Sequence, residues 1–151
     1  MALLYAGIGT VGTMLFVLFA KLPDTTADLS PWIHWRTPIT DKELASDLDR
    51  GPVLVTTEYT VNPEQSELFM EAIHELGLIR RRDGAYWWGI FRDTEVPDVY
   101  LETFLVNSWA EHLRQHQRET QADREVERRV SSYVVGEPKV HHLIYTYAKE
   151  T

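Results

Sequence analysis

The chain has 151 residues, 23 acidic against 15 basic side chains, a formal net charge of −8 and no cysteine. That length holds one small domain with an appendage. The acidic balance argues against a nucleic-acid partner, and the lack of cysteine fits a reducing compartment and leaves no thiol nucleophile.

Met1 to Ala20 carry no charged side chain. At about 1.5 Å of rise per residue, such a run spans roughly 30 Å as a helix, the thickness of a bilayer's hydrocarbon core. A transmembrane helix is therefore expected over residues 1–21. A secretory signal fits less well, because no Lys or Arg precedes the run and Phe16–Lys21 lacks a small-residue cleavage pattern. Gly7-Ile8-Gly9-Thr10-Val11-Gly12 matches G-x-G-x-x-G only formally, since no second strand or acidic partner follows in reach. Ala6/Thr10 and Gly9/Thr13 are small-x-x-x-small pairs, which let a neighbouring helix approach closely in lipid. Lys21 and Arg36 lie beyond the run and nothing basic precedes it, so the remainder is expected on the cytoplasmic side.

Residues 22–52 read as an acidic connector punctuated by Pro23, Pro31, Pro38 and Pro52. Trp32, Ile33 and Trp35 sit either at headgroup level or against the soluble domain. Thr40 and Glu43 form a capping-box pattern for a short helix over 40–48.

Residues 53–151 read as one domain. Val53–Val61 is rich in β-branched residues and predicts a strand. Asn62-Pro63 opens a helix in which Leu68, Ala72, Ile73, Leu76 and Ile79 face inward, and Arg80, Arg81 and Arg82 close it against the negative end of its dipole. Ala85–Arg92 is a second strand and Val99–Val106 a third. Ser108 and Glu111 cap a further helix, or a kinked pair, running through Val134 with an apolar stripe at Ala122, Val126, Val130 and Tyr133. Val140–Ala148 is the last strand. The order β-α-β-β-α-β is ferredoxin-like, so the fold class is α+β, with helices on one sheet face and the other face in need of a cover.

Arg82-Asp83-Gly84-Ala85-Tyr86-Trp87-Trp88-Gly89, the stretch from Glu102 to His116 and His141-His142-Leu143-Ile144 resemble the C-terminal extension of bacterial major facilitator transporters similar to the enterobactin exporter. That extension resembles the antibiotic biosynthesis monooxygenase fold, a ferredoxin-like domain that dimerises into an α/β barrel. The resemblance implies the last membrane helix, connector and soluble domain of an efflux transporter whose preceding helices are missing here, so the chain is expected to be a fragment or a detached piece. It implies a membrane location and a homodimer through the open sheet face, with no catalysis and no cofactor of its own.

The alternative is a membrane-tethered oxygenase or a domain that binds haem or a small aromatic. Relatives of this fold place a pocket on what is expected to be the open sheet face, and Glu58, Trp87 or Trp88, Glu102, Asn107, Trp109, His116 and His142 could line it. A buried Glu102 is costly unless paired, so it is expected to face solvent, to meet an arginine such as Arg92, or to mark a pocket. His112 and His116 share a helical face, but Leu113 replaces the Glu of H-E-x-x-H, so no metal site is expected. His141 and His142 point to opposite sheet faces and cannot chelate together.

Overall fold

The structure, a computed structural model, describes residues 27–32 and 47–146. The predicted membrane helix with Ala6, Gly9, Thr10 and Thr13, together with Ile33, Trp35 and most of the predicted 40–48 helix, lies outside the described residues. Among the described residues no helix is long and apolar enough to cross a membrane.

β1 (Val53–Thr60) alternates as its β-branched pattern requires, with Val53, Val55, Thr57 and Tyr59 buried. Asn62 then accepts the Glu64 N–H on its side chain, and Pro63 begins one 3₁₀ turn that leads into α1 (Ser66–Arg82). The buried stripe of α1 is Phe69, Ala72, Ile73, Leu76 and Gly77, whereas Leu68 is 48 % exposed. The predicted stripe is thus corrected at its first position. The apolar period i, i+3, i+4, i+7 begins at Phe69, and a residue one step earlier lies about 100° round the helix.

β2 (Trp87–Arg92) starts two residues later than predicted, because the Ala85 N–H still caps α1 by donating to the Arg80 carbonyl at 2.9 Å. β3 (Val99–Val106) has the predicted bounds. The long helix resolves into the pair: α2 (Trp109–Arg118) and α3 (Gln121–Ser132) are separated by Glu119 in an extended conformation. Thr120 and Asp123 form a reciprocal capping box that restarts the helix. β4 (Lys139–Ile144) closes the sheet, whose order is β2-β3-β1-β4 with every neighbouring pair antiparallel.

The register sorts the side chains. Val55 lies beside Phe104 and His142, Thr57 beside Glu102 and Val140, and Phe104 beside Trp88, all on the face that the helices cover. Leu54, Glu58, Leu101, Leu105, Leu143, Trp87 and Phe91 fall on the other face. Gly51 sits against the turn into α2: a Cβ there would lie 2.0 Å from the Asn107 carbonyl oxygen, so the chain passes only because the side chain is absent.

Candidate functional site

The helix-covered face of the sheet carries a seam of polar and ionisable groups. Its centre is Glu102, which has no exposed surface. Tyr59 Oη donates to Glu102 Oε2 at 2.8 Å and Trp88 Nε1 donates to Oε1 at 2.9 Å. Arg80 Nε lies 3.5 Å from Oε1, and Arg80 Nη1 lies 3.2 Å from Glu127 Oε1. The predicted partner Arg92 is elsewhere: it donates to the Pro97 carbonyl and lies over the Tyr100 ring. Arg80 occupies the inward side of the last turn of α1, so this arginine is a buried counter-ion, not only a helix-end cation. Arg82 pairs with Asp83 and Asp123 across the α1–α3 contact.

Burial works against the Arg80 charge, but Glu102 and Glu127 hold its pKa above the ordinary arginine value. Burial, with the Glu102 charge beside it, pushes the Tyr59 hydroxyl well above the usual phenol range. Both groups therefore stay protonated beside the carboxylate. The Tyr59 and Trp88 donors are satisfied by the carboxylate, whereas Arg80 Nε faces it at ion-pair distance without a hydrogen bond.

A second group adjoins it. His112 and His116 from α2, His142 from β4, and Trp109 at the start of α2 pack ring against ring. His112 lies 4.9 Å from His116 and 4.8 Å from His142, and Trp109 lies 5.5 Å from His142, centroid to centroid. His112 Nδ1 is 3.2 Å from Gln115 Oε1, and its Nε2 is buried with no hydrogen-bond partner. Burial pushes His112 down to about 4 and His116 down to about 3; neighbouring imidazolium charge, from His142 and His112 respectively, adds to each. His142 is lowered by burial and by His141. Among the described residues no group of three or more His, Asp or Glu side chains is arranged to hold a metal ion.

Two small cavities flank Arg80. One, of about 160 Å³, is lined by Thr57, Tyr59, Arg80, Glu127, Ser131 and Val140, among others. The other, of about 20 Å³, touches His112, His116, Glu119 and Glu127 and is the size of one water. Each is smaller than the roughly 300–1,000 Å³ of ordinary ligand pockets.

The expected pocket is thus divided between the two faces. Glu102, Trp109, His116 and His142, with Trp88, are brought together beneath the helices, not on the open face, because each shares the strand parity or helix side of the core. Glu58 and Trp87 have the opposite parity, and Glu58 pairs with Lys139 at 2.7 Å. Asn107 is exposed at the β3–α2 turn. Arg80, Tyr59 and His112 were not among the expected lining. Tyr59 was legible from the same alternation that buries Val55 and Thr57.

Gly77 fits α1 over this seam. A Cβ there would meet the Trp88 ring at 2.6 Å. Gly77→Ala gains about 1 kcal/mol of helix propensity but overpacks a core ring, a cost of about 1–3 kcal/mol. The expected net is a loss of about 1 kcal/mol, measured by urea unfolding, with Trp88 fluorescence altered in the folded state.

The open face is apolar. Trp87 and Phe91 stack with centroids 6.1 Å apart and are 41 % and 51 % exposed, and Leu101 and Leu143 lie on the same face.

A family model for transmembrane secretion effectors matches residues 1–151. No curated protein matches the chain. Among solved structures, a Caulobacter crescentus protein assigned as an antibiotic biosynthesis monooxygenase superposes with a TM-score of 0.59 at 16% identity, covering 70% of this chain and 99% of its own. A Bordetella bronchiseptica protein of the same assignment gives 0.55 at 18% identity, covering 65% and 100%. A conserved protein from Methanosarcina mazei gives 0.54 at 20% identity, covering 67% and 96%. These likenesses establish the ferredoxin-like fold.

Proposed function

The chain belongs to the transmembrane secretion effector family, a major-facilitator-type transporter family, and from that premise we propose that residues 53–146 form a cytoplasmic dimerisation domain of an efflux transporter. The domain joins two copies through its open sheet face and performs no chemistry of its own. The observation that carries this reading is the apolar face itself. Trp87, Phe91, Leu101 and Leu143 form a contiguous exposed apolar surface of a kind monomeric proteins seldom leave in water. Each of the four leaves between about a third and a half of its surface exposed, so together they offer an apolar patch of a few hundred Å², the size that marks an interaction site. Its charged pair, Glu58 and Lys139, neutralises itself at the edge, leaving nothing to select a charged partner, whereas an apolar face complements its own copy under two-fold symmetry.

Phe91→Asp places a charge on the aromatic side of that face. The full chain in detergent is expected to sediment as a dimer, and the variant to weaken self-association by at least roughly 30-fold, since losing a buried aromatic anchor costs about 2 kcal/mol or more. A wild-type monomer at high protein concentration overturns the reading. The resemblance to an enterobactin exporter bears on the cargo, and the described residues contain no transport path that would select one.

A second reading, an oxygenase or haem-binding domain, draws on the His112–His142–Trp109 cluster and the fold of the solved relatives. Against it stand the small cavities and the engaged Glu102. Titrating haemin or a quinol into the full chain is expected to give no saturable spectral change and no oxygen uptake. A saturable Soret shift lost on His142→Ala would favour the enzyme.

A further inference from the structure

The connector is bonded to the domain at two matching places. The first two N–H groups of α2, Trp109 and Ala110, donate to the carbonyls of Arg50 and Leu48 at 2.9 and 2.8 Å. The first two of α3, Gln121 and Ala122, donate to the carbonyls of Ser30 and Asp28 at 3.0 and 2.9 Å. The opening N–H groups of a helix have no partner within it, so each helix start takes two acceptors, two residues apart, from the connector. The clip on α3 is reinforced: the Trp32 N–H donates to the Glu119 carbonyl at 2.8 Å, Pro31 bridges Thr120, and the Arg124 guanidinium lies 5.1 Å over the Trp32 ring.

The two clips differ in their surroundings. Beside the α3 clip, Glu119 is buried at the α2–α3 elbow, and Arg124 reaches both Glu119, at 3.5 Å, and Glu127. Glu127 and Asp123 face this point from α3, Arg80 from α1 and Asp83 from the cap that follows it, and His112 and His116 from α2. Arg80 is already engaged by Glu102, and Asp123 by Arg82. On the strap, Asp28 is the titratable group, and its carboxylate is held by the Ser30 N–H. Arg80 also reaches Glu127, so three carboxyl groups, Glu102, Glu127 and Glu119, share two guanidiniums, Arg80 and Arg124.

We propose that residues 28–32 are a releasable strap that holds the α2–α3 elbow closed, gated by the charge state of Glu119. With Glu119 neutral, the two guanidiniums balance Glu102 and Glu127 and the strap stays clipped. With Glu119 ionised, one carboxylate is in excess, and the elbow backbone at Glu119 turns outward to bring that side chain to water, which carries its carbonyl away from Trp32 and frees the start of α3. Burial, and then Glu127, raises Glu119 to about 7, so the change falls near neutral pH. The sign follows from linkage: a carboxyl raised in the clipped state favours that state at lower pH and loses the preference as pH rises through its value. The inference is independent of the transporter reading.

Hydrogen exchange on the full chain tests it, using the α2 clip as internal reference. The protection of Gln121 and Ala122 relative to Trp109 and Ala110 is expected to fall about tenfold from about pH 6 to about pH 8.5. Glu119→Gln is expected to abolish that fall, and Glu127→Gln to shrink it, because burial still raises Glu119 when the neighbouring charge is gone. An unchanged ratio in the wild type overturns the proposal, whether or not the variants fold, and so does an equal fall in either folded variant.

Discussion

Glu102→Ala is expected to destabilise the domain by about 3–5 kcal/mol, the cost of removing one partner from a buried ion pair. The carboxylate is fully buried and engages Tyr59, Trp88 and Arg80 together. Its loss leaves a guanidinium, an indole N–H and a phenol hydroxyl facing a cavity beneath α1 without their acceptor. A domain stabilised by only about 5–15 kcal/mol would be close to unfolding at room temperature. Urea unfolding measures it. Glu102→Gln keeps the shape and an acceptor oxygen and should cost less, about 1–3 kcal/mol. Removing both charges by Arg80→Met with Glu102→Leu should recover part of the loss, because two desolvation penalties disappear together. If Glu102→Ala costs under about 1 kcal/mol, the cluster is not the anchor of this core.

The second large effect is acid sensitivity between about pH 6.5 and pH 4. His112 is 2 % exposed and is held neutral in the fold down to about 4, against an ordinary value of 6.5. In the unfolded chain it charges near pH 6.5, so the unfolded state binds more protons across this window. Stability is then fully present above about pH 6.5 and falls as the pH drops, by about 3 kcal/mol for this imidazole alone. His116 acts in the same direction, to about 3. Glu119 opposes both: its folded value of about 7 means that folding takes up a proton, which adds stability as pH falls from 7 toward its unfolded value. Two imidazoles outweigh one carboxyl down to about pH 4.5, and below that only the imidazole contribution keeps changing among these three groups. Urea titrations from pH 7.5 to about 4 should therefore show a steepening decline. His112→Phe keeps a ring against Trp109 and Phe104 while removing the titration. The difference between wild type and variant should change by about 2–3 kcal/mol over that range. A constant difference would mean His112 is not buried neutral.

Much of the architecture was legible because it depends on neighbours in sequence. The β-branched alternation of Val53–Thr60, the Asn62-Pro63 helix start, the Ser108–Glu111 cap and the aromatic strands each state their conformation within a few residues. The order of those elements determined the ferredoxin-like class. Parity also separated His141 from His142 before any fold was drawn. The misses were of phase and of pairing. Leu68 differs from Phe69 by one step in a helix whose exact start depends on a 3₁₀ turn.

The ion pair of Arg80 and Glu102 spans 22 residues. The helical period places Arg80, four residues after Leu76 and seven after Ile73, on the buried stripe of α1, but nothing local says that this stripe meets Glu102 or that Arg92 does not. Only the packing of α1 against the sheet brings that guanidinium to that carboxylate. For the same reason the expected pocket separated into a buried seam and an apolar outer face. Each strand states that its side chains alternate, but which parity meets the helices is decided when the helices dock and bury the larger apolar area.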